Sequence, residues 1–208
     1  MTADTLTGDG SMELPEFASP PADPIALLRS WIDAAVERGV REPMSVALAT
    51  TDATGRPSNR TLMIKDVDPR GLVFSTDSGS AKGVDLAARP VAAVVFYWRE
   101  TLQQIRVTGR VDPLPAAESD ALFADRPPEA QATTAASEQS RPLDSEAELR
   151  SRAAALLSAG AVARPAGWFG YLLVPDEVEF WHGSTDRLHR RLRYVRGGGG
   201  WSTQRLQP

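Results

Sequence analysis

Between Met44 and Val111 the hydrophobic period of the chain is two, and it is interrupted every few residues. MSVALAT (44–50), NRTLMIK (59–65), Leu72–Ser75, VAAVVFYW (91–98) and LQQIRVTGRV (102–111) each read as a strand. The links TDATGRPS and DVDPRG carry the Gly, Pro, Asp and Thr that turns require. Further strands are expected at Gly170–Val174, Glu177–Trp181, Arg191–Val195 and Trp201–Arg205, and GGGG at 197–200 reads as a hairpin turn. Several short strands with turns at close spacing favour a barrel or sandwich, and with the interrupting helices the sum is a mixed β-barrel with helices packed outside it.

The helices are fewer and carry their own punctuation. Asp23-Pro24 supplies a cap and a first-turn proline. Leu28, Trp31, Ile32, Ala35 and Val36 then recur at helical spacing, and Gly39 closes the run. Shorter helices are expected at Ser80–Ala88 and Ala116–Ala124, and a longer one at Ser145–Leu157. Residues 126–143 read as an irregular polar loop, too long for a passive connection. Residues 1–22, rich in Pro, Asp, Thr and Gly, read as a flexible N-terminal arm, leaving one domain over 23–208.

Composition narrows the chemistry. A net charge of −4 over 208 residues gives no electrostatic reason to expect nucleic acid or an anionic membrane as partner, so anion binding has to be local. There is no cysteine, which removes thiolate chemistry and zinc–thiolate sites. Neither His182 nor His189 has a second ligand at metal spacing, so no metal is expected. The N-terminus lacks the apolar stretch of a secretory signal, and the longest apolar run, 91–98, is too short to span a bilayer. A cytoplasmic protein is the resulting expectation.

Few residues carry chemistry. In NRTLMIK, strand alternation sends Arg60 and Lys65 to opposite faces. TDSGSAKG opens a helix with small residues, exposing backbone N–H groups where phosphate binds well, with Lys82 in the first turn. Lys65 and Lys82 are the only lysines. Gln103-Gln104 and Gln139-Ser140 are amide and hydroxyl pairs that an ordinary surface also carries. VEFWHGSTDRLHRR (178–191) crowds arginines, both histidines and a tryptophan into one segment, as an anion with a flat ring would need. No nucleophile elbow or acid–base pair is evident, so a cofactor is expected to carry any chemistry.

In combination these blocks resemble a known family. EFWxG-x3-RLHxR, NRTLMIK, FSTDSGSAKGVDLAARPVA, QQIRVTG, SEQS and the final W-x3-RLxP resemble, in the same order, the pyridoxamine 5′-phosphate oxidase family of FMN-dependent enzymes. The resemblance covers about residues 24–208 and is closest to the branch that serves phenazine biosynthesis. It implies an FMN-binding split β-barrel, mainly β with peripheral helices, assembled as a homodimer with FMN at the interface. By position, Arg60, Thr61, Met63, Ile64 and Lys65 line the flavin, followed by Ser75 and Thr76. Lys82 holds the phosphate. Gln104, together with Gln139 and Ser140 from the partner subunit, contacts the flavin, and Trp181 and Arg191 complete the site. Lys65, Arg126, Arg187, Leu188 and His189 face the substrate.

Three departures bear on that substrate. Family members place Arg before the Lys82 position, where this chain has Ala81. They hold the substrate phosphate with Tyr, Arg and Ser, where this chain has Leu122, Arg126 and Ala130. The acidic residue of RLHDR is Arg190 here. Losing two hydroxyl donors removes roughly 1–3 kcal/mol each from phosphate recognition. The implied reaction is oxidation of a reduced phenazine carboxylate, with electrons passing through FMN to O2. The alternatives are a pyridoxamine or pyridoxine 5′-phosphate oxidase and a non-catalytic flavin-binding protein.

Overall fold

A computed structural model describes residues 6–208; the first five residues of the expected arm lie outside the described residues. After a 3-10 turn at Pro15–Phe17, helix α1 spans Pro24–Glu37 and strands β1 to β4 span Ser45–Thr51, Pro57–Met63, Asp66–Asp68 and Gly71–Asp77. Helix α2 (Ala81–Ala88) leads to β5 (Val91–Trp98) and β6 (Gln103–Pro113). Helices α3 (Ala116–Ala124), α4 (Pro128–Ala136) and α5 (Glu146–Ser158) precede β7 (Trp168–His182), β8 (Arg190–Gly197) and β9 (Gly200–Leu206). The strands form one antiparallel sheet in the order β2-β1-β5-β6-β7-β4-β3, and β8 and β9 branch from β7.

The mainly β architecture with peripheral helices agrees with expectation, but the barrel does not. The sheet is open, with β2 and β3 as the two ends of its path and no ladder joining them. The link between these strands shows why. Ile64 donates its amide to Met44 O at 2.9 Å, while Lys65 donates to Val73 O at 2.7 Å. Adjacent residues therefore serve opposite ends of the sheet through single bonds, and closure requires a continuous register.

Other boundaries shift for physical reasons. The two strands expected at 170–174 and 177–181 are halves of β7, which is 15 residues long. Its first half pairs with β4 and its second half with β8, on the same edge. The change of partner falls at Pro175, which has no N–H to donate. The β6–β7 register shifts there, between Thr108 and Gly109. A Cβ on Gly109 would lie 2.0 Å from Val174 O, so the bulge requires glycine. The expected loop at 126–143 contains α4, whose Pro127-Pro128 entry suits a helix start. The GGGG turn is a two-residue hairpin closed by the Gly197–Gly200 pair, as expected.

Helix α1 begins as its sequence dictates, with Asp23 Oδ1 accepting from Ile25 N at 2.8 Å. Leu28, Trp31, Ile32 and Ala35 pack on the sheet with Phe74, Phe96, Phe180 and Tyr194. Val36, expected on the same face, is 57% exposed because the stripe turns toward Ile25 and Leu27 instead. Trp31 meets Phe180 edge to face at 5.0 Å, an arrangement adding about 0.5–1.5 kcal/mol beyond area burial. Residues 12–21, within the expected arm, lie on this core. Met12 and Phe17 are buried, Trp31 Nε1 donates to Glu16, and Tyr194 Oη donates to Pro21 O at 3.0 Å. Among the described residues no helix is long and apolar enough to cross a membrane.

Candidate functional site

A cleft of about 360 Å³ opens where the end of β4 turns into α2. Arg60 and Thr61 come from β2, Ser75 and Thr76 from β4, Lys82 from α2, and Gln139 and Ser140 from the segment after α4. The turn is built locally. Gly79 N donates to Asp77 Oδ1 at 2.7 Å, and Ser80 caps α2 by accepting from Gly83 N at 3.2 Å. A Cβ on Gly83 would sit 2.4 Å from Asp77 O, so only glycine lets the helix start this close to the strand.

Lys82 is the chemical centre of the cleft. Its ammonium is buried and donates to Thr76 Oγ1 at 3.0 Å and to Ser80 Oγ at 3.4 Å. Among the described residues it makes no ion pair. Burial, and then the nearby Arg60 guanidinium, hold its pKa below the usual lysine value, against a smaller opposing pull from Asp77. A half-desolvated cation ringed by hydroxyls is short of an anion.

Arg60 is already partly committed. It donates to Thr50 Oγ1 at 2.7 Å, Ser58 Oγ at 2.6 Å and Leu48 O at 3.2 Å, and lies 3.8 Å from Asp85 Oδ2. Asp85 in turn accepts from Thr50 and Ser58 at 2.6 and 2.9 Å. Arg60 therefore acts on the cleft chiefly as fixed positive charge. This network is a support that sequence reading missed, because its members are ordinary residues spread over β1, β2 and α2.

Two expectations about this cleft are corrected. Gln139 and Ser140, expected from a partner subunit, stand beside Lys82 of their own chain. Gln139 Oε1 accepts from Thr76 Oγ1 at 3.2 Å, and Ser140 Oγ accepts from Ala81 N at 3.2 Å. The exposed amides expected at the start of α2 are largely spent. Ser140 takes Ala81 N and Ser80 takes Gly83 N. Side chains thus replace the helix end as anion donors. Ser140 adopts φ +73, one of four non-glycine residues in the left-handed region among the described residues.

A second cluster lies on β6, β7 and β8. Gln104, Trp181 and Arg191 are successive cross-strand partners and so share one face of the sheet. Tyr97, 54% exposed, extends the row on β5. Arg191 Nε donates to Glu179 Oε1 at 2.7 Å and Nη1 to Gln207 O at 3.2 Å. The Glu179 carboxylate raises the Arg191 pKa. Glu179 is 3% exposed and also accepts at 2.7 Å from the half-exposed Arg106, a bridging carboxylate that sequence reading passed over.

The turn between β7 and β8 presents the remaining residues. His189 lies 4.9 Å from the Trp181 ring, and its Nδ1 accepts from Ser184 N at 3.0 Å. An acceptor Nδ1 places the neutral imidazole's proton on Nε2. Arg187 has φ +69, held by its own N–H to Ser184 O at 3.1 Å and by Asp186 Oδ1 accepting from Leu188 N at 2.9 Å. Leu188 is exposed.

Four of the expected residues stand apart from these clusters. Met63 is exposed on edge strand β2, the Ile64 side chain is buried in the core, and Lys65 is exposed beyond the strand end. Arg126 lies between α3 and α4, 5.3 Å from the Trp168 ring, and donates to Thr134 Oγ1 at 2.8 Å and Ala130 O at 3.3 Å. Burial lowers its pKa.

Comparison with known proteins places this arrangement. Residues 32–158 match the model described as pyridoxamine 5′-phosphate oxidase, and residues 168–208 match that of the pyridoxine 5′-phosphate oxidase C-terminal dimerisation region. The chain is 45% identical over 206 residues to a dihydrophenazinedicarboxylate synthase of Burkholderia lata, covering 99% of this chain and 97% of the relative. It is 41% identical over 189 residues to a pyridoxine/pyridoxamine 5′-phosphate oxidase of Caulobacter vibrioides, covering 89% and 85%. The crystal structure of PhzG from Burkholderia lata 383 in complex with tetrahydrophenazine-1-carboxylic acid superposes with a TM-score of 0.95 at 44% identity, covering 97% of this chain and all of that one. With both halves of the chain matched in sequence and the fold matched nearly throughout, the chain belongs to the pyridoxamine 5′-phosphate oxidase family.

Proposed function

We propose that this protein is an FMN-dependent oxidase of reduced phenazine carboxylic acids that works as a homodimer. The observation that carries the choice of substrate is the surroundings of Arg126. The positions where relatives in the family use Tyr and Ser to hold a substrate phosphate are Leu122 and Ala130, and Arg126 spends Nη2 on Thr134 and the Ala130 carbonyl. A phosphate there would find one guanidinium and no flanking hydroxyl from these two positions. The relative that spans nearly the whole chain, and the structure that superposes on it, are both named for phenazine carboxylates.

The residues present fit FMN. Lys82, backed by Arg60, Thr76 and Ser140, supplies the cation and hydroxyls a phosphate needs. Gln104, Trp181 and Arg191 form a polar and aromatic row suited to a flavin ring. The two groups line different surfaces of one chain, and the second lies largely in the segment matching a dimerisation region. Pairing two copies so that one row meets the other copy's Lys82 cleft completes two sites. Exposed Val91 and Tyr97 on β5 and Met63 on β2 give that contact apolar area.

Held by these residues, FMN would supply the two-electron redox chemistry, with O2 as the final acceptor. The chain orients and desolvates. His189, with its proton on Nε2, donates to a substrate carboxylate or ring nitrogen, and Arg187 is held by its turn to pair with the carboxylate. Leu188 borders the same space, and Lys65 would reach it only from the other copy of the dimer. Because ring aromatisation is itself downhill, alignment supplies much of the catalysis.

The test is anaerobic mixing of the purified yellow protein with a reduced phenazine carboxylate. The 450 nm flavin band should bleach and return on admitting air, with one H2O2 formed per two electrons. Pyridoxal phosphate formation in its place would favour the vitamin reading, and tight FMN without turnover would mark a binding protein.

A further inference from the structure

Arg190 stands between His189 and Arg191, where relatives in the family carry an acidic residue, yet strand alternation turns it to the opposite face. There its Nη2 meets two acceptors at once, the Met12 carbonyl at 3.1 Å and His182 Nδ1 at 3.0 Å. Its guanidinium also lies 5.2 Å from the Phe17 ring, within cation–π range. His182 is 1% exposed, and since arginine can only donate, Nδ1 must accept. Phe17 is 3% exposed and packs 6.1 Å from Trp31 on α1. One side chain thus joins the start of β8, the end of β7 and the N-terminal segment. That segment is tied elsewhere by Asp9 N donating to Glu100 O at 2.8 Å.

We propose that Arg190 is a positioning residue. It clamps the N-terminal segment against β7 and β8 and so holds His189 and Arg191, on the opposite face, in place for cofactor and substrate. The clamp uses a backbone carbonyl and a buried ring nitrogen, so it depends on the length and fork of arginine. A carboxylate there would face the Met12 carbonyl with like polarity. The proposal rests on the reading of His189 and Arg191 as site residues.

The test compares the full-length protein with Arg190→Gln and Arg190→Lys. Chymotrypsin should cut after Phe17 faster in Arg190→Gln, with the fragment identified by mass. FMN affinity, read by flavin fluorescence, should weaken about tenfold, the equivalent of roughly one charge-assisted hydrogen bond. Arg190→Lys, which keeps the charge but loses the planar fork, should fall between. If Arg190→Gln does not fold, His182→Leu, which removes one acceptor of the clamp and leaves Phe17 in place, should move both readouts the same way. Unchanged Phe17 protection or unchanged FMN affinity in a variant that folds overturns the proposal. Failure of the unmodified protein to bind FMN overturns instead the site reading on which it rests.

Discussion

Lys82 Nζ points at Thr76 Oγ1 from 3.0 Å, across the turn that joins β4 to α2, with no carboxylate paired to it among the described residues. Arg60 lies 3.8 Å from the Asp85 carboxylate, whereas this ammonium meets hydroxyls alone and is the uncompensated charge of the cleft.

Lys82→Met removes that charge while keeping the volume. FMN affinity should fall about 10- to 100-fold, since a charge-assisted bond to phosphate is worth roughly 1.5–3 kcal/mol. The apo protein should not lose stability, because the variant no longer buries a cation. Fluorescence titration and apo and holo melting temperatures check both halves.

FMN binding should weaken on the alkaline side earlier than an ordinary lysine would cause. The folded apo protein holds Lys82 below its ordinary value of 10.5. Phosphate favours the ammonium, so binding draws in a proton once pH exceeds the depressed value, and affinity falls as pH rises toward 10.5. Over the same window the unfolded chain binds more protons than the folded apo chain, so apo stability rises with pH. Titrations at several pH values should show the fall, and Lys82→Met should flatten it.

Ser140 does two things at once: its hydroxyl takes the Ala81 amide, and its backbone sits at φ +73. Ser140→Ala loses the bond and keeps the strain, while Ser140→Gly loses the bond and relieves the strain. The glycine variant should be the more stable of the two by about 1 kcal/mol. Both should bind FMN more weakly than the unmodified protein. Denaturant melts with flavin titration separate the effects.

Acid should loosen the fold through His182. Burial first, then Arg190 and to a lesser degree His189, lower its pKa, while the nearby Asp9 pulls the other way. The unfolded chain therefore binds more protons below the ordinary histidine value of 6.5. Stability is intact above that pH and is lost as pH falls toward the lower folded value. Denaturation at pH 7.5 and 5 should show a steeper loss for the unmodified protein than for His182→Gln.

The local elements were legible from the residues because local physics sets them. Asp23-Pro24 starts α1, Ser80 caps α2, the glycines turn β8 into β9, and alternation marks the strands. The residue types gathered around Lys82 and along Gln104–Trp181–Arg191 also belong to the sequence, through their resemblance to a known family. Only the tertiary structure decided that Pro175 and Gly109 let one strand serve two neighbours, that the sheet stays open, and that Gln139 and Ser140 reach Lys82 of their own chain. It alone brought Arg190 to Met12. These relations join residues far apart in the chain, and which of many such pairings forms depends on the packing of the whole core rather than on any short window of side chains.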